Sequence, residues 1–450
     1  MTDITWISFL LIVIASLLLP KWLLLIFFVP LFMVTSFNNI LPPLFSIGDA
    51  DIQTFDPILI AVAIRVAGPI LLRKQQLHFY PQYPSVAIFL CVLLGATIAS
   101  YFRFGEEIFI SEIISYIRLL TQISVFFLFP YSIRTTEELL LARKMFDYVG
   151  YAVASTVYLS FVVFGIGMEL GEVQSSEEIV RYFGFIGDQV GFIILFFIFK
   201  KIIDRSWIGT VFLAGALFAT GTRGAFVALS VGLVIILVQM RSQLSLSRRK
   251  MGILIMVLTI FVSIMVVQDF GGSRSRFLGY HLETGLTQRL VTMKLAGVMF
   301  IDNIIAGVGY TGFRHLALDY GAWHEFSSLL YFSPKFIATA GNQFLQAATD
   351  AGILGLVSFG YMSIVFLRTL KKAANTTVKQ TQNDMSAGYV WLLSLLFGNL
   401  TAAWLLPSSL ISYFLWIILG FAVLSEKNLP IANRNSVALG LHSKSVRTQR

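Results

Sequence analysis

Charged residues are scarce in this sequence of 450 residues. Asp, Glu, Lys and Arg together make up 13% of the chain, whereas hydrophobic residues make up 57%. A soluble domain usually carries about 25% charged residues. The apolar residues form many long runs separated by short polar segments. Since a helix needs ~20 mostly apolar residues to cross a bilayer, this composition excludes a soluble protein and indicates a polytopic membrane protein.

Cysteine is almost absent, because Cys91 is the only one and it lies inside an apolar run. An intramolecular disulfide and a thiolate metal site are therefore excluded, and the redox compartment stays open. The first apolar run, Ile4–Leu19, lacks the basic start and the small-residue cleavage site of a secretory signal peptide. We interpret it as a retained membrane span.

The apolar runs are too long and too continuous for the strands of a membrane barrel. In lipid only helices and closed barrels satisfy their own backbone polar groups. The predicted fold class is therefore all-α, a polytopic transmembrane helical bundle of 12–14 spans that forms one integral membrane domain over residues 1–450. The predicted spans are Ile4–Leu19, Trp22–Phe37, Pro57–Leu72, Ser85–Phe102, Ile113–Pro130, Tyr148–Met168, Gln189–Ile203, Trp207–Thr220, Arg223–Met240, Met251–Val267, Asn342–Leu367, Ala387–Leu405 and Ser409–Leu424.

The basic residues predict the orientation of these spans. Of the 33 lysines and arginines, 22 fall in alternate connections and in the tail of residues 426–450. Basic residues in short loops are retained on the cytoplasmic side. We therefore expect a cytoplasmic basic tail, and an N-terminus on the opposite, outer side. The net charge of +9 mostly reflects this bias and does not indicate a nucleic-acid partner.

One outer connection, residues 268–341, is unusually long. Loops of this length inside compact proteins are usually functional or disordered, and its apolar, aromatic and glycine content argues against disorder. Within it, Arg289–Ile305 has the apolar spacing of a half-buried helix. We expect a folded periplasmic loop that lies over the outer membrane face.

Eleven basic residues break the topology rule, because they lie inside spans or on the outer side. They are Arg65, Arg103, Arg118, Arg181, Arg223, Arg274, Arg276, Arg289, Lys294, Arg314 and Lys335. Any one of them can simply extend its charge to the interface, and long loops translocate regardless of charge. The alternative is a site for an anionic substrate, because the planar guanidinium group matches a phosphate.

Three glycine-marked segments stand out near these arginines. Thr220–Phe226 reads TGTRGAF, in which Gly221 and Gly224 allow a tight turn around Arg223. The second segment opens a helix at Arg289 and ends in Gly307, Gly309 and Gly312, followed by Arg314. Because no strand precedes this GxGxxG pattern, it does not indicate a dinucleotide-binding site. The third segment, Gly341–Val357, enters a span and carries Asp350 near its outer third.

In these segments the chain resembles the O-antigen polymerase and ligase family of bacterial polysaccharide enzymes. The family pattern contains a TxSRG-like hairpin, an arginine-led helix ending in G-x-G-x-x-F, and H-N-x9-G-x-x-G entering a span. Thr220–Gly224 matches the first part. Arg289 through Gly307, Gly309 and Phe313 matches the second, with one residue more before the phenylalanine, and Asn342, Gly352 and Gly355 match the third with full spacing. The resemblance covers roughly residues 180–370, including Arg181–Phe192.

The resemblance implies a GT-C-like membrane glycosyltransferase of the bacterial inner membrane, with neither a metal nor another cofactor. A sugar chain would leave undecaprenyl diphosphate and join an acceptor hydroxyl on the periplasmic face. The implied partners are the lipid-linked glycan, the bilayer and a chain-length regulator. We expect the diphosphate to be bound by basic residues chosen from Arg181, Arg223, Arg289, Arg314 and Lys335. Candidates for the general base are His315, Asp319, His324 and Glu325, each of which is also a plausible solvated loop residue.

One departure bears on the reaction. The ligase branch of the family has a histidine where this chain has Gly341, which favours a polymerase of O-antigen or exopolysaccharide repeat units over a ligase. A lipid-linked sugar flippase is another alternative, although matching helix breaks in two halves are not evident. A cell-wall glycan polymerase with one large loop and a structural assembly subunit also remain open.

Overall fold

The structure is a computed structural model, and in the part that it describes the chain is almost entirely helical. It describes residues 14, 16–26, 45–47, 50–52, 56–72, 79–164, 172–175, 178–181, 187–220, 222–239, 280–317, 319–320, 340–375, 379–398 and 411–425. The helices are α1 (Asp56–Leu71), α2 (Tyr83–Phe104), α3 (Glu106–Ser132), α4 (Thr136–Phe164), α5 (Gly187–Ile203), α6 (Trp207–Thr220), α7 (Arg223–Gln239), α8 (Tyr280–Asp302), α9 (Gly312–Leu316), α10 (Gln343–Ala374), α11 (Lys379–Gly398) and α12 (Ile411–Ser425).

The expected class of helical membrane protein is confirmed. Three helices, α2, α3 and α10, are long and apolar enough to cross a bilayer, with mean hydropathies of 2.1, 1.6 and 1.7. Shorter apolar helices occur in α1, α6, α7 and α12. The predicted spans from Pro57 onward each overlap one helix, except Met251–Val267, which lies outside the described residues. The count of thirteen spans stays a prediction.

Two short β-hairpins depart from the purely helical prediction. β1 (Phe45–Ile47) pairs antiparallel with β2 (Ala50–Ile52), and β3 (Glu172–Ser175) pairs antiparallel with β4 (Glu178–Arg181). Both lie in connections that the charge pattern places on the outer side. A short connection outside the apolar runs can satisfy its backbone groups by pairing across a hairpin, which the hydrophobic pattern does not reveal.

Aromatic side chains fill the centre of the bundle. Phe146 of α4 stacks on Phe414 of α12 with ring centroids 5.1 Å apart, and Trp391 of α11 meets Phe414 edge-on at 5.4 Å. The indole of Trp391 also donates to the backbone oxygen of Phe192 at 2.7 Å, which links α11 to α5. Buried aromatic pairs of this geometry stabilise a core beyond their buried area.

A cluster of charged side chains links four helices at one end of the bundle. This charge cluster contains Arg143, Asp147, Lys200, Lys201 and Asp384. Lys200 forms ion pairs with Asp147 and, at 2.8 Å, with Asp384. Arg143 donates to Thr381 and Ser425 and lies 3.8 Å from Asp384. Because Arg143 and Lys200 are buried, the cluster fixes the relative positions of α4, α5, α11 and α12 at this end.

Candidate functional site

Helix α10 is broken at the third glycine-marked segment. Ala351 and Gly352 have non-helical backbone angles, with φ −138° and ψ 26° at Ala351 and φ 63° and ψ −153° at Gly352. The backbone of Ile353 donates to Ile304 at 2.8 Å instead of continuing the helix. A Cβ at Gly352 would lie 2.5 Å from the backbone oxygens of Ile304 and Ile305. Glycine is therefore required by both the backbone angles and the available space.

The second glycine-marked segment docks against this break. We call residues 307–312 the glycine turn. Its Gly307 and Gly309 have positive φ angles of 68° and 95°. Val308 and Gly309 donate backbone hydrogen bonds to Thr349 and Asp350 of α10 at 2.9 and 3.0 Å. Those carbonyls lose their helical partners at the break, so the turn satisfies acceptors that the kink leaves open.

Asp350 holds the far side of the glycine turn through its side chain. Its carboxyl group accepts from Gln346 at 2.7 Å and lies near the backbone N–H of Thr311. Thr311 has a left-handed φ of 64°, which is uncommon for a residue with a branched side chain. Burial raises the pKa of Tyr310 well above its usual range, and the nearby Asp350 raises it further. Tyr310 is therefore a neutral phenol and not a base.

Glu112 of α3 approaches the same turn from the other side. It is fully buried and contacts Ser100 of α2. A Cβ at Gly309 or Gly312 would lie 2.1 or 2.7 Å from its carboxyl oxygens, so the carboxyl group rests directly on the turn. Sequence reasoning missed this residue, because the predicted span began at Ile113 and left Glu112 to the outer connection. An isolated acid inside an apolar run is the signal that would have found it.

Two predicted site residues lie immediately after the glycine turn. Arg314 is exposed on α9, and His315 is half-buried with its Nε2 atom 2.9 Å from the hydroxyl of Ser111 on α3. Asp319 follows and is exposed. The remaining predicted loop residues, His324, Glu325 and Lys335, lie outside the described residues. Arg314 and His315 thus lie together directly after the glycine turn, and His315 contacts α3.

Two of the unusual arginines contact backbone carbonyls within the protein. Arg103 donates to the backbone of Gly307 at 2.8 Å and to the side-chain oxygen of Asn303, and its guanidinium group lies over the ring of Phe104. Arg65 donates to the backbone of Ser16 and Leu19 at 2.6 and 2.7 Å. Arg103 therefore supports the glycine turn, while Arg65 links α1 to the backbone of residues 16–19.

The TGTRG hairpin lies between α6 and α7. Thr220 ends α6 and Arg223 begins α7, with Gly224 in its first turn. A Cβ at Gly191 would lie 2.9 Å from the hydroxyl of Thr222, so the hairpin packs closely on α5. Gly191 belongs to the stretch Arg181–Phe192 that shared the family resemblance. Gly221 lies outside the described residues.

The predicted convergence of the arginines stays a prediction. The side chains of Arg223 on α7, Arg289 on α8 and Arg181 on β4 lie outside the described part of the structure. Their backbone positions are described, and the helix expected over Arg289–Ile305 is confirmed as α8, which runs from Tyr280 to Asp302. Arg314 is the phosphate candidate whose side chain is described.

The remaining motif residues shape the start of α10. Asn342 is its N-cap, and its side-chain oxygen accepts from the backbone of Phe344 and Leu345 at 2.9 and 3.1 Å. Gly341 precedes it with a left-handed φ of 73°. At Gly355 a Cβ would lie 2.2 Å from the backbone oxygen of Ala347. Asn342, Gly352 and Gly355 thus support the broken helix.

These elements fall within one stretch of family similarity. Residues 208–360 match the O-antigen ligase family, and the match includes the TGTRG hairpin, the glycine turn and the break in α10. The match supports an O-antigen polymerase/ligase-like family. No match was found among curated proteins. Together with the apolar helices, the match supports a polysaccharide-related membrane enzyme.

Proposed function

We propose that this protein is a polymerase that joins undecaprenyl-diphosphate-linked repeat units into O-antigen or exopolysaccharide. It would act on the periplasmic face of a bacterial inner membrane, with its C-terminus in the cytoplasm and a GT-C-like architecture. The observation that carries the proposal is the docked glycine turn inside the matched segment, which sets Arg314 and His315 at one corner. Gly341, in place of the ligase-branch histidine, favours polymerase over ligase.

The proposed transfer is a substitution at the anomeric carbon of the lipid-linked chain. The bond from that carbon to the diphosphate oxygen breaks, and its electron pair leaves with undecaprenyl diphosphate. A bond to a hydroxyl oxygen of the acceptor repeat unit forms, and a base takes the hydroxyl proton. Negative charge develops on the departing diphosphate, so guanidinium groups aimed at it would lower the barrier.

Each site residue then has a proposed role. Arg223, Arg289 and Arg314, with Arg181 and Lys335 as further candidates, would hold the diphosphate. The base would be His315, Asp319 or His324. The contact between His315 and Ser111 supports the first of these, because a hydrogen bond at one ring nitrogen fixes the orientation of the imidazole.

An O-antigen ligase is the second candidate, since that is the family whose description the segment matches. The two activities leave different intermediates in a deletion strain. Accumulated single lipid-linked repeat units would support the polymerase, and long unattached chains would establish the ligase. Repeat units confined to the cytoplasmic leaflet would instead indicate a flippase and refute both enzymatic proposals.

Replacing Arg223 by alanine and by lysine separates the contribution of its charge from that of its planar guanidinium group. Losing a charge-assisted bond should cost ~1.5–3 kcal/mol, or roughly ten- to hundred-fold in rate. Arg223→Ala should reach that loss with normal amounts of protein in the membrane, and Arg223→Lys should not restore full activity because lysine lacks the planar fork. Arg368→Ala removes an exposed arginine from the predicted cytoplasmic side of α10 and serves as the control. Polymer of wild-type length and amount from Arg223→Ala would show that Arg223 is only an interfacial anchor.

A further inference from the structure

Two acceptors, the Glu112 carboxyl group and the backbone oxygen of Thr97, compete for the one hydroxyl hydrogen of Ser100. Ser100 contacts the Glu112 carboxyl group, and its hydroxyl also lies 2.7 Å from the backbone oxygen of Thr97. A serine hydroxyl has one hydrogen to donate, and a backbone oxygen can only accept. If Ser100 donates to Thr97, the contact between Ser100 and Glu112 needs a hydrogen from Glu112. A neutral carboxylic acid that donates to Ser100 would satisfy both contacts at once.

The burial of Glu112 agrees with this assignment. The side chain is 0% exposed, and no residue in the described part of the chain forms a hydrogen bond with its Oε1 atom. Within the described residues, no lysine, arginine or histidine forms an ion pair with Glu112. An ionised carboxylate in such a place would be strongly destabilised, whereas the neutral acid is not.

Three neighbouring positions of α3 contact the glycine turn or the residues after it. Ser111 contacts His315, Glu112 rests on Gly309 and Gly312, and the ring of Tyr116 meets that of Tyr310 edge-on at 6.4 Å. Helix α2 adds Thr97, whose hydroxyl accepts from the backbone of Tyr310 at 3.2 Å. The turn is thus held between α2 and α3 on one side and Asp350 of α10 on the other.

We infer that Glu112 is a proton-bearing positioning residue that fixes the glycine turn and, through it, Arg314 and His315. This inference rests on the proposed function for its activity readout. Glu112 reaches the transfer site only through the turn, so it takes no part in proton transfer to substrate. Its neutral carboxyl group is needed for its shape and for its one donated hydrogen bond.

Substitutions that separate shape from acidity test this role. Glu112→Ala removes the donor and the contact with the turn, so we expect polymer yield to fall at least about tenfold with protein amount unchanged. Glu112→Gln keeps the shape and the donor and should restore most of the lost activity, mainly in kcat. Polymer loss in Glu112→Gln as deep as in Glu112→Ala would overturn the inference, because it would show that the acid exchanges a proton during transfer.

A pair of substitutions tests the direct contact. Gly312→Ala would place a methyl group 2.7 Å from Glu112 Oε1, and Gly312 has an ordinary φ angle, so the contact dominates. We expect Gly312→Ala to lower activity about tenfold alone but less than about twofold in the Glu112→Ala background, since contacting residues are not additive. An equal loss of activity from Gly312→Ala in the wild-type and Glu112→Ala proteins would refute a direct contact between Gly312 and Glu112.

Infrared spectroscopy of the purified protein at neutral pH tests the proton without any substrate. Glu112→Gln should remove a carbonyl band of a buried protonated carboxyl group. The control Glu107→Gln, at an exposed position of the same helix, should remove only bands of an ionised carboxylate. Loss of ionised bands in both variants would refute the neutral acid. Because this measurement needs no substrate, it separates a failure of the inference from a failure of the proposed function.

Discussion

Replacing Gly352 by alanine tests whether the docked glycine turn is needed for activity. The new methyl group would lie 2.5 Å from the backbone oxygens of Ile304 and Ile305. Both oxygens belong to backbone, so neither can swing aside as a flexible side chain would. The hydrogen bond from Ile353 to Ile304, at 2.8 Å, must lengthen or break to make room.

The expected cost follows from two contributions. Holding a non-glycine residue at the φ of 63° seen at Gly352 costs about 1–3 kcal/mol. Losing the hydrogen bond to Ile304 adds about 1 kcal/mol. Together they amount to about 2–4 kcal/mol, which would lower the population of the docked turn roughly 30- to 1,000-fold.

Gly360 provides a matched control on the same helix. Its Cβ position meets nothing within 4 Å, and its φ is not positive. Gly360→Ala should therefore be neutral, or stabilise the helix by up to about 1 kcal/mol. Both variants are compared for polymer yield, for protein amount in membranes and for thermal stability in detergent. Wild-type polymer from Gly352→Ala would show that transfer does not require the docked turn, and the site would have to be placed elsewhere.

Three further predictions follow from other parts of the molecule. Asn342→Ala should lower the free energy of unfolding by about 1 kcal/mol through loss of the N-cap of α10, which would be measured as a lower melting temperature. Asn342→Asp should retain the cap, and an equal melting temperature for Asn342→Ala and wild type would contradict the capping role. Lys200→Met should destabilise the protein by about 3–5 kcal/mol because it removes the closest cation of both Asp147 and Asp384, whereas Lys201→Met, at 3.6 Å from Asp147, should cost far less; similar membrane levels of the two variants would argue against this. A cysteine replacing Ser327, with Cys91 changed to alanine, should react with an impermeant reagent in intact cells, and reaction only after permeabilisation would invert the orientation.

The class of the protein and the positions of its helices could be predicted from the sequence. Long apolar runs are a local signal, because each helix satisfies its own backbone groups and must match the bilayer thickness. For the same reason α2 overlaps its predicted span closely, whereas α3 begins seven residues before the predicted Ile113 and α10 ends seven residues after the predicted Leu367. The glycines at 307, 309 and 352 were also visible as motif positions, although their spacing alone did not say what each one contacts.

The tertiary structure decided how those motifs meet. The glycine turn pairs with a break in α10 about forty residues later, and it rests on Glu112 about two hundred residues earlier. These contacts depend on how separate helices pack, which hydrophobic periodicity does not encode. Glu112 was missed because the predicted span began one residue after it, at Ile113, whereas the helix begins at Glu106. Its role arises only when two glycines of a distant segment leave space for a carboxyl group, and only three-dimensional packing brings them together.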